Sequence, residues 1–146
     1  MRTLVLAIFA ATACLSTQAF AASNDGTPSE RQLRAECSYD ATGVKECLQR
    51  KQRDSKANLE QAEEKARKTI ARWDEDSKYI RITGARLSAS NTAFAEYRDA
   101  QCAFASSLGG GAIGNALEMR RLACIAELNN RRADQLRDAV SDLPLK

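Results

Sequence analysis

The sequence contains no histidine, and this absence removes several classes of enzyme at once. Serine and cysteine nucleophiles are usually activated by a histidine base, which this chain cannot supply. Paired acids could in principle do glycosidase-type work, but Glu63–Glu64 and the Asp74/Asp76 pair lie in charge-rich polar segments typical of solvated surface. No two cysteines have the close spacing of a zinc knuckle. We therefore expect no catalysis, no metal and no cofactor.

Long apolar segments are also missing, apart from one near the start. Leu4–Leu15 is apolar but shorter than the roughly 20 residues that a bilayer-spanning helix needs. Arg2 precedes it and the small-x-small pattern Ala19–Ala21 follows it, as in a secretory signal. The pattern predicts a signal peptide over residues 1–21, cleaved after Ala21, and no transmembrane segment.

A second interpretation of the same leader is a lipoprotein signal. Ala11–Cys14 forms a weak lipoprotein box, with small residues before a cysteine that would carry the lipid. Secretion is favoured because the cleavage site after Ala21 is better formed. Both interpretations predict export, either as a free periplasmic or secreted protein or as a lipoprotein anchored through Cys14.

The chain also lacks a large excess of positive or negative charge. After removal of Arg2 with the signal, 21 basic and 19 acidic residues remain, giving a net charge of 21 − 19 = +2. A protein that binds nucleic acid needs a basic stripe and access to nucleic acid, and both the charge balance and the export signal argue against this. We expect no nucleic-acid partner.

Four cysteines remain after the signal, and their even number in an exported chain is typical of a disulfide framework. Cys37 and Cys47 bracket a predicted break between helices. Cys102 and Cys124 lie at similar depths before and after a glycine-rich turn, where an antiparallel hairpin would bring them together. The spacing favours local pairing, Cys37–Cys47 and Cys102–Cys124, while crossed pairing or free buried thiols stay open.

Apolar residues at helical spacing predict an all-α fold, a disulfide-stapled antiparallel bundle of three long helices plus a short N-terminal helix. After a disordered leader over residues 22–26, a single domain spans 27–143. Start and stop signals place the helices from Thr27 to Cys37, from Thr42 or Gly43 to Trp73, from Ala85 to Leu108, and from Asn115 to a point before Pro144. Within these limits Thr27 and Asn115 are expected to cap, and Tyr79–Gly84 is interpreted as a connection.

Each long helix has an inner stripe. For the second helix it includes Val44, Leu48, Ser55, Leu59, Ala62, Ala66, Ile70 and Trp73; for the third Leu87, Phe94, Tyr97, Gln101, Phe104 and Leu108; for the last Leu122, Ile125, Leu128, Leu136 and Val140. The glycine-rich segment 108–114 has no Lys-Ser/Thr after its glycines, so it is interpreted as a turn and not as a phosphate loop.

The segment FAEYRDAQC, residues 94–102, combines aromatic, charged and cysteine side chains in one predicted helix. Phe94, Arg98 and Cys102 lie in one i, i+4 row, so Arg98 is expected to be half-buried beside the disulfide. Its acceptors would be helix-end carbonyls near the glycine turn or a carboxylate from another helix, and it would pin helix ends together. Asp99 is expected to point away from Arg98. A binding face would lie on the exposed side, at Glu96 and Asp99, or at the glycine turn.

These residues, taken in order, resemble the lysozyme inhibitor LprI-like family of small exported bacterial proteins. The resemblance covers residues 37–136, and its specific parts are 94–102 and 124–136. Signature positions are Phe94, where the family has Trp, and Tyr97, Arg98, Asp99, Gly110 and Arg132. The other matching positions are Cys37, Cys47, Asp54, Leu59, Cys102, Cys124 and Leu136.

The resemblance implies a binding protein that inhibits lysozyme or another muramidase by occluding its cleft. Lysozymes are generally cationic, so a dedicated inhibitor gains from negative charge, and a net charge of +2 counts against tight binding. The alternative is a structural or assembly module of the periplasm that binds another envelope protein and has no effect on lysozyme.

Overall fold

Four helices make up the fold, in a computed structural model that describes residues 26–112 and 114–146. The predicted signal peptide, Cys14 and most of the predicted leader lie outside the described residues. The all-α prediction of one short and three long helices is confirmed. They are α1 (Glu30–Cys37), α2 (Val44–Ala71), α3 (Ser77–Ser107) and α4 (Ala116–Ala139).

The two helices that form most of the core, α2 and α4, run in the same direction. Near their N-terminal ends, Leu48 shares a buried cluster with Ala123. Near their C-terminal ends, Ile70 shares a second cluster with Leu136. The inner stripe predicted for α2 is confirmed from Leu48 to Ile70, because every stripe residue in that range is buried.

Helix α3 runs antiparallel to both. Its C-terminal half is bonded to the first half of α4 through Cys102–Cys124, and its middle contacts the second half of α4, where Arg132 donates to Ser90. The connection between α2 and α3 is closed by the end of the chain, since the Asp74 amide donates to the Pro144 carbonyl at 2.8 Å.

Two of the predicted helix caps are wrong. Ser29, not Thr27, caps α1 in a capping box with Gln32. Helix α4 starts directly after Asn115 as expected, but Asn115 makes no capping hydrogen bond to it. Helix α3 is capped by Asp76, whose carboxylate accepts from the Lys78 amide at 2.7 Å.

The segment Tyr79–Gly84 is helical, so its interpretation as a connection is wrong. The cap at Asp76 starts α3 eight residues earlier than the predicted start at Ala85. Isolated β-branched residues lower helix propensity only slightly, and a capped helix start readily outweighs them. The result is a 31-residue helix. Within the described chain, no helix is long and apolar enough to cross a membrane.

Candidate functional site

The two disulfides have the local connectivity favoured by the spacing. Cys37 and Cys47 join α1 to α2 with a Cα–Cα distance of 5.6 Å, and Cys102 and Cys124 join α3 to α4 at 5.5 Å. Both distances lie in the range usual for disulfides. The second bridge matters most for α3, because Cys102 and Ala105 are the only fully buried residues of that helix.

A chain of polar side chains connects the three long helices behind the disulfide. Asn129 of α4 and Ser55 of α2 are each only 1 % exposed. The Asn129 amide donates to the Ser55 hydroxyl at 3.2 Å, and Ser55 donates to the Gln52 carbonyl. Arg98 of α3 donates to the Asn129 amide oxygen at 3.3 Å. Each buried polar group therefore has a partner, which removes the cost of burying it.

Arg98 differs from its prediction in two respects. Its acceptor on the neighbouring helix is the Asn129 amide, neither a helix-end carbonyl nor a carboxylate of another helix, so it connects the middles of α3 and α4 and does not pin their ends. It also donates twice to the Asp99 carboxylate, at 3.0 and 2.9 Å, although the two were expected to point apart. Adjacent Cα–Cβ bonds do diverge on a helix, but the long arginine side chain reaches back across that angle.

The Phe94 ring lies under two guanidinium groups. The Cζ atoms of Arg98 and Arg132 are 6.0 and 5.6 Å from its centroid, within the range of cation–π attraction. Arg132 also donates to the Ser90 hydroxyl at 2.8 Å and the Asn91 amide oxygen at 3.1 Å. Phe94, Arg98 and Arg132 therefore all lie at the contact between α3 and α4.

The remaining large apolar residues of the segment face solvent. Tyr97, Phe104 and Leu108 are 55, 57 and 62 % exposed, so their assignment to the inner stripe is wrong. Their spacing of seven and four residues places them on one side of α3, and the exposed Ala93 and Ala100 continue that side. We call these five residues the apolar edge of α3. A row of exposed apolar side chains is a candidate interaction surface.

The charges around the apolar edge are mixed, and Glu96 is the acid among them that has no ion pair. Glu96 is exposed and takes part in none of the ion pairs of the described residues. The Asp99 carboxylate, 63 % exposed, is paired with Arg98, and Glu118 approaches Arg121. Arg120 lies within contact distance of Gly109 in the following turn. The C-terminal end of α3 adds the negative end of a helix dipole. The negative character of this surface therefore rests on Glu96 and on the end of α3.

The turn after α3 is slender because it contains almost no side chains. Residues 109–112 are three glycines and an alanine. Gly110, a signature position, has φ +55°, a left-handed conformation that favours glycine. The apolar edge therefore leads directly to a narrow turn that a concave surface could accommodate.

The other side of Arg98 borders a groove of about 650 Å³ between α2, α3 and α4. Four basic and two acidic side chains line it, namely Arg53, Lys56, Arg98, Arg121, Asp99 and Glu118. Asp99 is paired with Arg98 and Glu118 approaches Arg121, so the mixed charges largely satisfy one another. Among the described residues, no group of three or more acids or cysteines is arranged to hold a metal ion.

The sequence indicated part of this site and missed the rest. Phe94, Arg98, Cys102, Cys124 and Arg132 are brought together as one cluster around the contact between α3 and α4. Asn129 was not recognised as a partner of Arg98. A signal existed in Ser55, because a hydroxyl in the middle of an apolar stripe can donate to its own helix and still accept from a polar residue of a facing helix.

One comparison with known proteins gives a result. The family model described as "Lysozyme inhibitor LprI" matches residues 34–136, which is most of the chain. That range includes both disulfides, the polar chain behind them and the apolar edge of α3. No curated protein and no solved structure matches the sequence.

Proposed function

The chain belongs to the LprI lysozyme inhibitor family, and from that membership we propose that it binds a cationic lysozyme or another muramidase in the cell envelope and occludes the cleft. The two disulfides fit such a location, because disulfides persist in oxidising compartments outside the cytoplasm. Within this proposal the protein performs no chemistry of its own and acts as a competitor for the polysaccharide.

The observation that carries the proposal is the apolar edge of α3. Interfaces concentrate their binding energy in a few large side chains near the centre, and tyrosine is enriched among these. Tyr97, Phe104 and Leu108 offer three such side chains in one row. A cationic partner at this edge would meet Glu96 and the negative end of the α3 dipole, although the net charge of +2 still counts against tight binding.

Cleft occlusion follows from the position of the turn. Muramidases hold the polysaccharide in a cleft between paired carboxyl groups. In the proposed complex the slender turn at residues 109–112 enters the cleft, where it places no acidic side chain beside those carboxyl groups. Glu96 and Asp99, further back along α3, then face the cationic surface around the cleft.

The test is lysis of bacterial cell walls, followed as a loss of turbidity, with purified protein and several lysozymes. The proposal predicts dose-dependent inhibition by the wild-type protein. Phe104→Ala should weaken inhibition about tenfold or more, as expected for a central interface residue. Tyr39→Ala is the matched control, because Tyr39 is 90 % exposed and lies in the connection between α1 and α2. It should inhibit like the wild type.

Two charge-reversal variants distinguish the effect of the local charge on inhibition from the effect of the net charge. Glu96→Lys and Glu60→Lys change the net charge equally, but Glu60 lies on α2 away from the apolar edge. Glu96→Lys should weaken inhibition more at low salt than at high salt, and Glu60→Lys should have little effect. If the wild-type protein at high molar excess leaves lysis by every lysozyme unchanged, the inhibitor proposal fails and the envelope assembly alternative gains support.

A further inference from the structure

A second feature lies at the other end of α3 and has no role in the proposed inhibition. It is a pocket of about 340 Å³ between α2, α3 and α4. Its apolar wall consists of Ile70, Trp73, Leu87, Leu136, Val140 and Leu143. This volume is near the lower limit for small-molecule sites, which are typically lined by apolar side chains with a few polar groups. The pocket is large enough for one aliphatic chain and too small for the two chains of a phospholipid.

The charged lining of the pocket is entirely basic. Arg86 and Arg132 both line it, and none of the described lining residues is acidic. Arg86 is exposed and makes no ion pair or hydrogen bond with the described residues, so its charge is not neutralised by the protein.

Arg132 is the second basic group of the pocket, and the protein uses only part of its hydrogen-bonding capacity. One terminal nitrogen is satisfied by Ser90 and Asn91, but its Nε is buried and has no hydrogen-bond partner among the described residues. The other terminal nitrogen, Nη1, is not buried and makes no hydrogen bond with the described residues, so it is the donor that an anion in the pocket can reach.

We propose that this pocket binds a single aliphatic chain that ends in a carboxylate or a phosphate. The chain packs against Trp73 and the neighbouring aliphatic side chains, and the anion accepts hydrogen bonds from Arg86 and Arg132. Burial of the chain supplies the non-directional part of the affinity, and the two guanidinium groups select the anion over other head groups.

This site is separate from the apolar edge of α3. Leu87 and Phe104 are 17 positions apart in the same helix, or about 25 Å along its axis. A bound chain in the pocket therefore leaves Tyr97, Phe104 and Leu108 uncovered. The proposal stands whether or not the protein inhibits a lysozyme.

Ligand binding to the pocket can be followed by tryptophan fluorescence, because Trp73 lines the pocket and is the only tryptophan of the chain. Laurate and dodecyl phosphate, titrated below their micelle-forming concentrations, should each give a saturable change in Trp73 fluorescence. Their relative affinities decide between a carboxylate and a phosphate as the preferred head group. Dodecyltrimethylammonium has the same chain with a cationic head and should bind at least tenfold more weakly.

Variants test the arginines separately. Arg86→Gln should weaken laurate binding about tenfold, the loss expected for one charge-assisted contact. Arg81→Gln is the matched control, since Arg81 is exposed on the same helix and contacts only Ser77. It should bind laurate like the wild type. Arg132→Gln should also weaken binding, with circular dichroism used to confirm that the variant is folded.

Any of four results would overturn the proposal. One is no saturable response to either anion. Another is equal affinity for the cationic and anionic chains, and another is laurate affinity that is unchanged in both Arg86→Gln and Arg132→Gln. The last is a Trp73 response to a lysozyme with none to laurate, which would assign the pocket to an apolar side chain of a protein partner.

Discussion

Removal of the Cys102–Cys124 bridge tests how α3 is held in the bundle. Of the 31 residues in α3, only Cys102 and Ala105 are fully buried, so this helix depends on its covalent link more than α2 or α4 does. The bridge closes a loop with a sequence separation of 22 residues. The chain-entropy relation assigns such a loop about 3.4 kcal/mol of stabilisation at 25 °C.

The matched comparison is the bridge Cys37–Cys47, with a separation of 10 residues. The same relation assigns it about 2.7 kcal/mol. All four cysteines are buried to a similar degree, so the packing lost in double Cys→Ala variants is similar in the two cases. We expect the Cys102→Ala/Cys124→Ala variant to lose about 3 kcal/mol or more in the free energy of unfolding measured with urea.

Hydrogen exchange adds a local measurement that the urea titration cannot give. Amides of α3 should exchange faster after loss of Cys102–Cys124, and they should be much less affected by loss of Cys37–Cys47. A loss below about 1 kcal/mol, or unchanged exchange in α3, would refute the view that this bridge is the main anchor of the helix.

Three further perturbations test other parts of the structure. Asn129→Ala should lower the free energy of unfolding by about 2–3 kcal/mol, because it removes a buried amide that bonds both α2 and α3; an unchanged urea midpoint would contradict the bridging role. The hydroxyl and amide of Thr42, with a smaller contribution from Arg50, lower the pKa of Asp40 from 3.8 to about 2. Because the pKa is lower in the folded state, this stabilisation is present above pH 3.8 and is lost as the pH falls towards about 2. Asp40→Asn should therefore flatten the dependence of the urea midpoint on pH in that window. Gly110→Ala should cost about 1 kcal/mol because of its left-handed backbone, whereas Gly111→Ala, where an added Cβ meets open space, should cost little in thermal unfolding.

Most of the fold could be predicted from helical periodicity, and α2 explains why. Its polar residues carry many charges, so the contrast between its apolar stripe and its solvated side is large. Ser55 is the one polar residue within the stripe, and it is buried as the spacing requires. The local disulfide pairing also followed from the spacing, since an antiparallel hairpin brings equal depths together.

The same method failed for α3 because that helix has little contrast between its sides. Alanine and serine occupy much of its surface, so Tyr97, Phe104 and Leu108 were the strongest apolar signals, and they were assigned to the core. The structure buries the smaller Cys102 and Ala105 instead. A disulfide requires close approach of two helices, and small residues next to it permit that approach. The large side chains are consequently left on the opposite, exposed side.

The partners of Arg98 could not be predicted from the sequence for a different reason. Periodicity shows which residues share a side of one helix but not which residues of another helix face them. The register between α3 and α4 depends on the disulfide and on packing along both helices, and it determines that Arg98 meets Asn129. The pocket beside Trp73 depends in addition on the end of the chain, whose pairing with residues 72–74 no sequence pattern indicated.

Hydrogen exchange of the protein in the presence and absence of an inhibited lysozyme tests the central claim most directly. The account predicts that protection on binding is concentrated in the last turns of α3 and the glycine-rich turn, around Phe104, Leu108 and residues 109–112. The outer side of α2 should be unchanged. Protection confined to α2, or to the α1–α2 connection around Tyr39, would contradict the assignment of the apolar edge of α3 as the binding surface.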